Sequence, residues 1–153
     1  MLSKVGKALR IISDDDKKKI AIVFDGPTIF PKFHLTKLTN LKEALKEIGT
    51  VRSGRIITDI QKTIAESEII GAQGFQEEIV GSEVDIHVAI RALEFMNSKT
   101  VDIVAIATTD TNLYPIYQRI KQTKQLVVIT WKEFVTPAIE SVADYILYLD
   151  YIE

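Results

Sequence analysis

The chain has 153 residues, of which 46% are hydrophobic and 26% charged, with a formal net charge of −2 at pH 7. This length suits one core of ordinary size, so we expect a single domain, and the charge balance excludes a generally basic nucleic-acid binder while allowing a local basic patch. The absence of cysteine excludes disulfides, thiolate zinc sites and thiol nucleophiles, and only two histidines are present. Any metal would therefore be held by oxygen.

The first region, residues 1–19, is predicted as an N-terminal helix and a charged connector, followed by the domain itself over residues 20–153. Apolar residues recur there at helical spacing, at Leu2, Val5, Leu9 and Ile12, before a block of mixed charge. Neither a bilayer-length apolar run nor a signal peptide is recognisable, so we expect a soluble cytoplasmic protein with no membrane association.

The stretch 20–28 predicts a buried parallel strand that ends at Asp25, followed by a loop from Gly26 to His34. The carboxyl ends of strands in an open α/β sheet form the crevice where ligands bind, so Asp25 is a candidate site residue. A role as a helix cap is disfavoured, because Gly26-Pro27 predicts no helix directly behind it.

The middle of the chain predicts alternating helices and strands. The first helix ends at Gly49 and has Leu38, Leu41, Leu45 and Ile48 on its apolar face. A strand over 51–58 follows, then a helix that is capped by Asp59 and runs to Ile70, and then a strand over 75–80. The next helix begins near Asp85. Its buried face is predicted to carry Ile86, Ala89, Ile90 and Leu93, with His87, Arg91, Glu94 and Ser98 on the solvated face.

The second half predicts strands over 101–107, 125–130 and 145–149, with a helix after Asp110 and another capped by Thr136-Pro137. Leu113, Ile116 and Ile120 mark the apolar face of the helix after Asp110. The alternation predicts an α/β fold, a Rossmann-like three-layer domain with a mainly parallel sheet and helices on both faces.

Three acids can meet at one sheet edge if the strands that end at Asp25 and near Thr108 are neighbours: Asp25, Asp85 and Asp110. Two bare carboxylates about 4 Å apart repel by roughly 4 kcal/mol at an effective dielectric of 20, so the cluster needs a cation or a proton. Mg²⁺ or Mn²⁺ is the simpler answer. Capping of the helices that follow remains open for Asp85 and Asp110.

Other chemistries lack their residues, since no dinucleotide-binding glycine motif, P-loop or Ser-His-Asp arrangement is present. Thr108 and Thr109 also fit ordinary strand-end hydroxyls. Trp131 follows a strand and allows two interpretations, base stacking or packing on the core, of which the sequence favours the second.

Four blocks resemble the successive motifs of the NYN (LabA-like) family in the PIN-domain nuclease superfamily: residues 23–28 (VFDGPT), 84–89 (VDIHVA), 109–115 (TDTNLYP) and 143–149 (ADYILYL). The resemblance implies a PIN-like fold and a metal-dependent endoribonuclease acting on single-stranded or flexible RNA through metal-activated water. It makes Asp25, Asp85 and Asp110 metal ligands and leaves Ala143-Asp144 as a structural signature.

The chain departs from the family pattern at three positions. Thr28 stands where the family usually has asparagine, Asn112 where it usually has a second acid, and Arg91 where it often has another acid. Asn112 keeps an oxygen ligand but removes a charge, which predicts one Mg²⁺ or Mn²⁺ rather than two. The alternative is a weakened module that binds RNA or a protein partner without cleaving.

Predicted substrate contacts combine hydroxyl, cationic and aromatic side chains: Thr28, Lys32, Arg91, Thr108, Thr109 and Trp131. Further cations that could meet phosphate are Lys37, Arg52, Arg55, Lys121 and Lys124. The sequence leaves the oligomeric state open, a homo-oligomer included.

Overall fold

The structure is a computed structural model that describes residues 2–4, 17–30 and 32–153. One sheet of seven strands runs through the described chain, in the order β1-β7-β6-β5-β2-β3-β4. The strands are β1 (Leu2–Lys4), β2 (Lys19–Asp25), β3 (Thr50–Thr58), β4 (Gln76–Ile79), β5 (Ile103–Ala107), β6 (Gln125–Thr130) and β7 (Tyr145–Tyr148). All neighbouring pairs are parallel except β1 with β7, which is antiparallel at the edge.

Within the described ranges, six α-helices connect the strands: α1 (Gly26–Ile29), α2 (Leu38–Leu45), α3 (Ile64–Ala72), α4 (Val84–Met96), α5 (Tyr114–Ile120) and α6 (Pro137–Val142). One core cluster lies between the sheet and the α1–α3 side, and a second lies between the sheet and α4–α6. The predicted single α/β domain with a mainly parallel sheet and helices on both faces is thereby confirmed. None of the helices among the described residues has the length and apolar character needed to cross a bilayer.

Strands β2 and β5 are direct neighbours, which is the arrangement on which the predicted meeting of the acids depended. Both are buried along their whole length apart from the exposed first residue of β2, as expected for parallel strands covered on two faces. Alternate residues of each strand point to opposite clusters, so Phe24 faces the α1–α3 side while Val23 faces α4–α6. Asp25 therefore points to the same side as Val23.

Two glycines allow close packing around β2 and β3. A Cβ on Gly26 would lie 2.6 Å from the carbonyl oxygen of Ile57 in β3, so the turn after Asp25 can approach β3 only without a side chain. A Cβ on Gly54 would lie 2.0 Å from the ring of Phe75, which packs against Phe24 at 5.6 Å between centroids.

Several elements differ from the sequence prediction. Leu2–Lys4 forms a strand where a helix was predicted, because it pairs with β7; the predicted continuation through residues 5–16 lies outside the described residues. Helix α1 begins directly after Asp25, since proline fits the first turn of a helix, where backbone donors have no partner. Helix α3 starts at Ile64 rather than near Asp59, because Thr63 and Glu66 form a reciprocal capping box.

The buried face of α4 was also predicted wrongly. The structure buries Val88, Ala92 and Met96, whereas Ile86 and Ile90 are 52% and 45% exposed. Apolar residues occur nearly all round this helix, so their spacing did not identify the face that meets the sheet. In α5, Tyr117 and Ile120 are buried, as is Leu113 directly before the helix, while the predicted Ile116 is half-buried.

Candidate active site

The carboxylate of Asp25 lies buried at the carboxyl end of β2 and is 3% exposed. The neighbouring strand β5 pairs Ala107 with Phe24, so the following residues, Thr108 and Asp25, also lie side by side. The hydroxyl of Thr108 donates a hydrogen bond to Oδ2 of Asp25 over 2.8 Å. Although α1 starts directly behind it, the Asp25 side chain does not cap that helix.

The loop after β5 joins the turn after β2 through threonine hydroxyls. The backbone N–H of Asp110 donates to Oγ1 of Thr108 over 3.0 Å, and the N–H of Thr109 donates to Oγ1 of Thr28 over 3.2 Å. The Thr28 hydroxyl donates to the carbonyl oxygen of Asp25 over 3.3 Å. Five predicted site residues thus form one connected network, which holds Asp110 beside Asp25.

The pKa of Asp25 is governed mainly by the removal of its carboxyl group from water. Burial raises the pKa of Asp25 above its ordinary value; hydrogen bonds from Thr108 and Thr28 oppose this, and the charge of Asp110 adds to the increase. Within the described residues, no lysine, arginine or histidine forms an ion pair with Asp25. In the part of the chain that the structure describes, the negative charge of Asp25 is therefore not balanced by an ion pair with a basic side chain.

Tyr117 belongs to the same site. Burial raises the pKa of its hydroxyl above the usual range, and the negative charges of Asp110 and then Asp25 add to the effect. The tyrosine is 1% exposed and lies in the cluster on the α4–α6 side. Burial is the main reason that the phenol keeps its proton, and the smaller effects of Asp110 and Asp25 indicate that the ring is turned toward these acids.

Asp110 also caps a helix, as the sequence allowed. Its Oδ1 accepts a hydrogen bond from the backbone N–H of Asn112 over 2.8 Å at the start of the 3₁₀ turn Thr111–Leu113, which leads into α5. The second carboxylate oxygen has no such partner among the described residues. The side chain of Asn112 is exposed on this turn.

Asp85 lies at the same edge of the sheet. Helix α4 connects two parallel strands, β4 and β5, so its first turn stands at their carboxyl edge. Asp85 is on the helix face of Val88 and Ala92, one turn nearer the helix start, and its Oδ1 accepts from the N–H of Ile86 over 2.9 Å. The chain enters this helix through Glu83 at φ +56°, in the left-handed region.

The acids do not complete a ligand group of three. Within the described residues, no three side chains of the histidine, cysteine, aspartate and glutamate types are placed so that they could hold a metal ion. The pair of Asp25 and Asp110, with hydroxyls around it, nevertheless fits Mg²⁺ or Mn²⁺, because Mg²⁺ commonly binds through one or two carboxylates and keeps several waters. That Asp85 joins this pair stays a prediction.

Arg91, a predicted phosphate contact, forms ion pairs with two carboxylates of the protein. Its Nε lies 2.7 Å from Glu78, and its Nη1 lies 2.6 Å from Glu94. Glu78 also pairs with Arg55 at 3.3 Å and faces His87 at 3.9 Å, so this acid on edge strand β4 gathers three basic side chains. The pKa of Glu78 is lowered, above all by the hydrogen bond from Arg91.

Lys32 and Trp131 are in contact with each other at the carboxyl edge. Trp131 is 7% exposed and packs in the core cluster of the α1–α3 side, which is the interpretation that the sequence favoured. The ammonium of Lys32 lies 4.7 Å from the tryptophan ring centroid and 3.2 Å from Glu133.

Other predicted phosphate contacts lie elsewhere. Lys121 and Lys124 precede β6 and so stand at the opposite, amino-terminal edge of the sheet. Lys121 pairs with Asp144 at 2.6 Å, and Lys124 donates to the carbonyls of Ser98 and Val101. Asp144 itself accepts from the N–H of Leu126 over 2.8 Å, so the Ala143-Asp144 motif anchors the start of β6, in accord with the structural role expected of it.

Sequence reasoning missed three side chains near this crevice or its flank: Tyr117, Thr130 and Glu78. Tyr117 occurs four residues after Leu113, within the apolar repeat of α5, so its spacing indicated only a core residue. Thr130 ends β6 as Thr108 follows β5, and that parallel was available in the sequence. Glu78 gave no signal, because its partners come from separate elements.

Comparison with known proteins gives a consistent result. The NYN domain profile matches residues 19–150. An uncharacterized protein of Methanocaldococcus jannaschii is 28% identical over 130 residues, which are 84% of this chain and 54% of that protein, so the chain spans about half the length of this curated relative. A crystal structure of a protein of unknown function from Vibrio parahaemolyticus shares the fold, with a TM-score of 0.73 and 20% identity over 92% of this chain and 98% of that one.

The profile match covers all six parallel strands and the whole polar network at their carboxyl edge. This chain therefore belongs to the NYN domain family, a PIN-like branch of the nuclease superfamily.

Proposed function

We propose that this protein is an endoribonuclease that uses one divalent cation, Mg²⁺ or Mn²⁺, to hydrolyse single-stranded or flexible RNA. The observation that carries the proposal is the buried carboxylate of Asp25 beside Asp110, with no ion pair to a basic side chain among the described residues. A desolvated acid next to a second acid is costly, and a bound cation removes that cost. NYN nucleases act on RNA and are generally dependent on divalent metals, which supports the proposal.

Each residue of the network has a part in this proposal. Asp25 and Asp110 hold the cation, with Asp85 as the predicted third ligand and the Asn112 side chain as a neutral oxygen ligand. When bound, the cation supplies a water activated for attack on phosphorus and a charge that stabilises the developing negative charge. Thr108 and Thr28 keep the Asp25 carboxylate and the Asp110 loop in place. The side-chain hydroxyl of Thr109 would contact the phosphodiester.

The RNA backbone would be bound by cations in the loops of the carboxyl edge. Lys32 follows α1, Lys62 lies between β3 and α3, and Lys132 follows β6. Lys32 and Lys132 are exposed, and Lys62 is half-exposed. Contact with phosphates releases counterions, so RNA affinity should fall steeply with salt, by about 0.7 in logarithmic slope for each phosphate neutralised on a single strand.

The binding part of the proposal is tested by alanine at each of the three lysines, with Lys99→Ala at the opposite edge as the matched control. Each test variant should weaken RNA binding and flatten the salt dependence, whereas Lys99→Ala should leave both unchanged. A flat salt response of the parent protein would favour a protein partner instead.

The catalytic part is tested by incubating purified protein with an unstructured RNA in Mn²⁺ and in chelator. Asp25→Asn should abolish cleavage. Asp110→Asn should do so as well, although asparagine can still cap the following turn, so this variant separates the metal role from the capping role. The matched control is Asp102→Asn, at the amino end of β5, where the acid accepts the N–H of Lys19. Cleavage that persists in Asp25→Asn protein would place the activity outside this site.

A second candidate function is RNA binding without cleavage. It is favoured by the incomplete acid group, since the described residues contain no three metal-ligating side chains that could hold a metal ion together. Binding of RNA that is unaffected by Mn²⁺ and by Asp25→Asn, with no cleavage, would establish this second function and refute the first.

A further inference from the structure

The hydroxyl of Thr130 is a buried polar group that the described chain leaves unsatisfied. Thr130 is the last residue of β6 and is 1% exposed. Among the described residues, its Oγ1 is the buried side-chain oxygen for which no hydrogen-bond partner exists. Buried hydroxyls in native proteins are normally paired with protein groups or ordered water, so this one requires an explanation.

Its position connects it to the candidate active site. The sheet pairs Phe24 with Ala107 and Ala107 with Ile129, so the next residues of three adjacent strands form one row across the carboxyl edge: Asp25, Thr108 and Thr130. The N–H of Thr108 donates to the carbonyl oxygen of Ile129 over 3.2 Å, which continues the ladder to this row. The residues two positions earlier, Val23, Ile106 and Val128, all belong to the cluster on the α4–α6 side.

By the alternation of β-strands, the three side chains of the row therefore point to the same side of the sheet. Adjacent strands lie about 4.8 Å apart, so Thr130 stands one strand away from the hydroxyl that holds Asp25.

Comparable threonines in this protein are satisfied. Thr108 donates to Asp25 and accepts from the N–H of Asp110. Thr58 is buried at the end of β3 and exchanges hydrogen bonds with the backbone of Ile60. Thr130 has the same position on its strand without such a partner, which indicates that its partner does not belong to the described part of the chain.

We propose that Thr130 is a positioning residue of the site, whose hydroxyl binds a water that belongs to the hydrated cation at Asp25 and Asp110. Thr130 is too buried to meet a nucleotide, so its ligand must be as small as water. Mg²⁺ and Mn²⁺ retain several waters when two carboxylates bind them, and outer hydrogen bonds of this kind tune metal affinity. This inference rests on the metal site of the proposed function but not on cleavage.

The test compares Thr130→Val with Thr58→Val, both of which replace a buried strand-end hydroxyl by a methyl group of the same shape. In chelator, Thr130→Val should unfold at the same temperature as the parent protein or higher, because an unpaired hydroxyl has been removed. Thr58→Val should unfold at a lower temperature, because it leaves backbone groups unpaired. Mn²⁺ affinity, measured by calorimetry, should fall about tenfold or more in Thr130→Val and remain unchanged in Thr58→Val. Thr130→Ser should restore Mn²⁺ affinity to within about twofold of the parent value, since it keeps the hydroxyl.

Parent-level Mn²⁺ affinity in Thr130→Val would overturn the inference, as would a lower unfolding temperature in chelator, which would reveal a structural hydrogen bond instead. A parent protein that binds Mn²⁺ but cleaves no RNA would refute the nuclease proposal alone, and the Thr130 comparison would still decide this inference. A parent protein that binds no Mn²⁺ would refute both.

Discussion

Replacing Asp25 by asparagine should stabilise the protein in the absence of metal while removing its metal binding. The carboxylate is 3% exposed, receives a hydrogen bond from Thr108 and lies beside the negative charge of Asp110. Asparagine has nearly the same shape and keeps an oxygen that accepts from Thr108. The substitution therefore removes a desolvated charge without creating a cavity.

The size of this effect follows from the cost of an incompletely satisfied buried group. That cost is about 1 to 3 kcal/mol, which for a domain of this size corresponds to roughly 2 to 12 °C in Tm. In chelator at neutral pH, Asp25→Asn should unfold above the parent protein by this margin. Asp102→Asn is the control and should bring no gain, because Asp102 is exposed and accepts the N–H of Lys19.

Manganese should reduce this difference in stability or reverse its sign. A ligand that binds only the folded state at a concentration 100 times its Kd stabilises it by about 2.7 kcal/mol. The parent protein should gain this increment and Asp25→Asn should not, so the difference between their Tm values shrinks or changes sign. Thermal unfolding with and without Mn²⁺, followed by circular dichroism, measures both halves of the prediction.

The pH dependence has a defined sign. The pKa of Asp25 is raised in the folded protein above the ordinary value of 3.8, so on titration upward the unfolded chain ionises first. As the pH rises from 3.8 to the folded pKa, the parent protein loses stability. The stability of Asp25→Asn relative to the parent protein increases over the same pH range and reaches its full value above it. If Asp25→Asn proved less stable than the parent protein in chelator at pH 7, the reasoning from desolvation would be refuted.

Three further predictions concern the scaffold. Gly54→Ala should destabilise the fold by about 1 to 3 kcal/mol, because the new methyl group would overlap the Phe75 ring; chemical denaturation measures this, and an unchanged midpoint would contradict the packing argument. Glu78→Gln should cost about 1 to 2 kcal/mol at neutral pH, because charge-assisted hydrogen bonds to Arg91 and its neighbours are weakened in a partly exposed cluster. The pKa of Glu78 is depressed below 4.5, so its stabilising contribution is present above that pH and is lost as the pH falls through the folded pKa. The stabilities of the parent protein and Glu78→Gln should therefore converge in acid. A difference that stays constant with pH would refute the stabilising role of the Glu78 charge.

The strands were predictable because their signal is local. The buried runs that form β2, β5 and β6 are continuous and β-branched, and both ends of each run are marked by polar or turn residues. The N-terminal strand was not predictable, since Leu2–Lys4 is a strand only by virtue of its partner β7. Pairing between strands that are far apart in the sequence cannot be predicted from the spacing of apolar residues in a three-residue segment.

The site was predictable in part for the same reason. Asp25 and Asp110 follow strong strands that proved to be neighbours, so topology alone brings them to one edge. The threonine network required the register of β2 with β5, which the sequence does not reveal. Arg91 illustrates the limit: its helical position predicted a solvated residue or a phosphate contact, and only the fold brings Glu78 of a separate strand within 2.7 Å of it.

The two edges of the sheet treat their aspartates differently, and parallel geometry explains why. At the amino edge, strand starts present N–H groups, and the acids there accept them: Asp102 binds the N–H of Lys19, and Asp144 binds the N–H of Leu126. At the carboxyl edge, strand ends present carbonyl oxygens, which cannot donate to an acid, so the N–H groups that Asp85 and Asp110 accept come from the helical turns beside them. The buried carboxylate of Asp25 relies chiefly on the hydroxyl of Thr108, with smaller contributions from Thr28, and burial still raises its pKa.

The structure supplies hydroxyls only partly, through Thr108 and Thr28, and their effect on the Asp25 pKa does not outweigh burial. The unpaired hydroxyl of Thr130 on the same row adds a second unmet hydrogen-bonding group at this edge. A hydrated divalent cation would satisfy the hydrogen-bonding groups of Asp25 and Thr130 that the protein leaves incompletely paired. Replacing Asp25 by a neutral residue, or Thr130 by an apolar one, should therefore raise stability in chelator and lower the affinity for Mn²⁺.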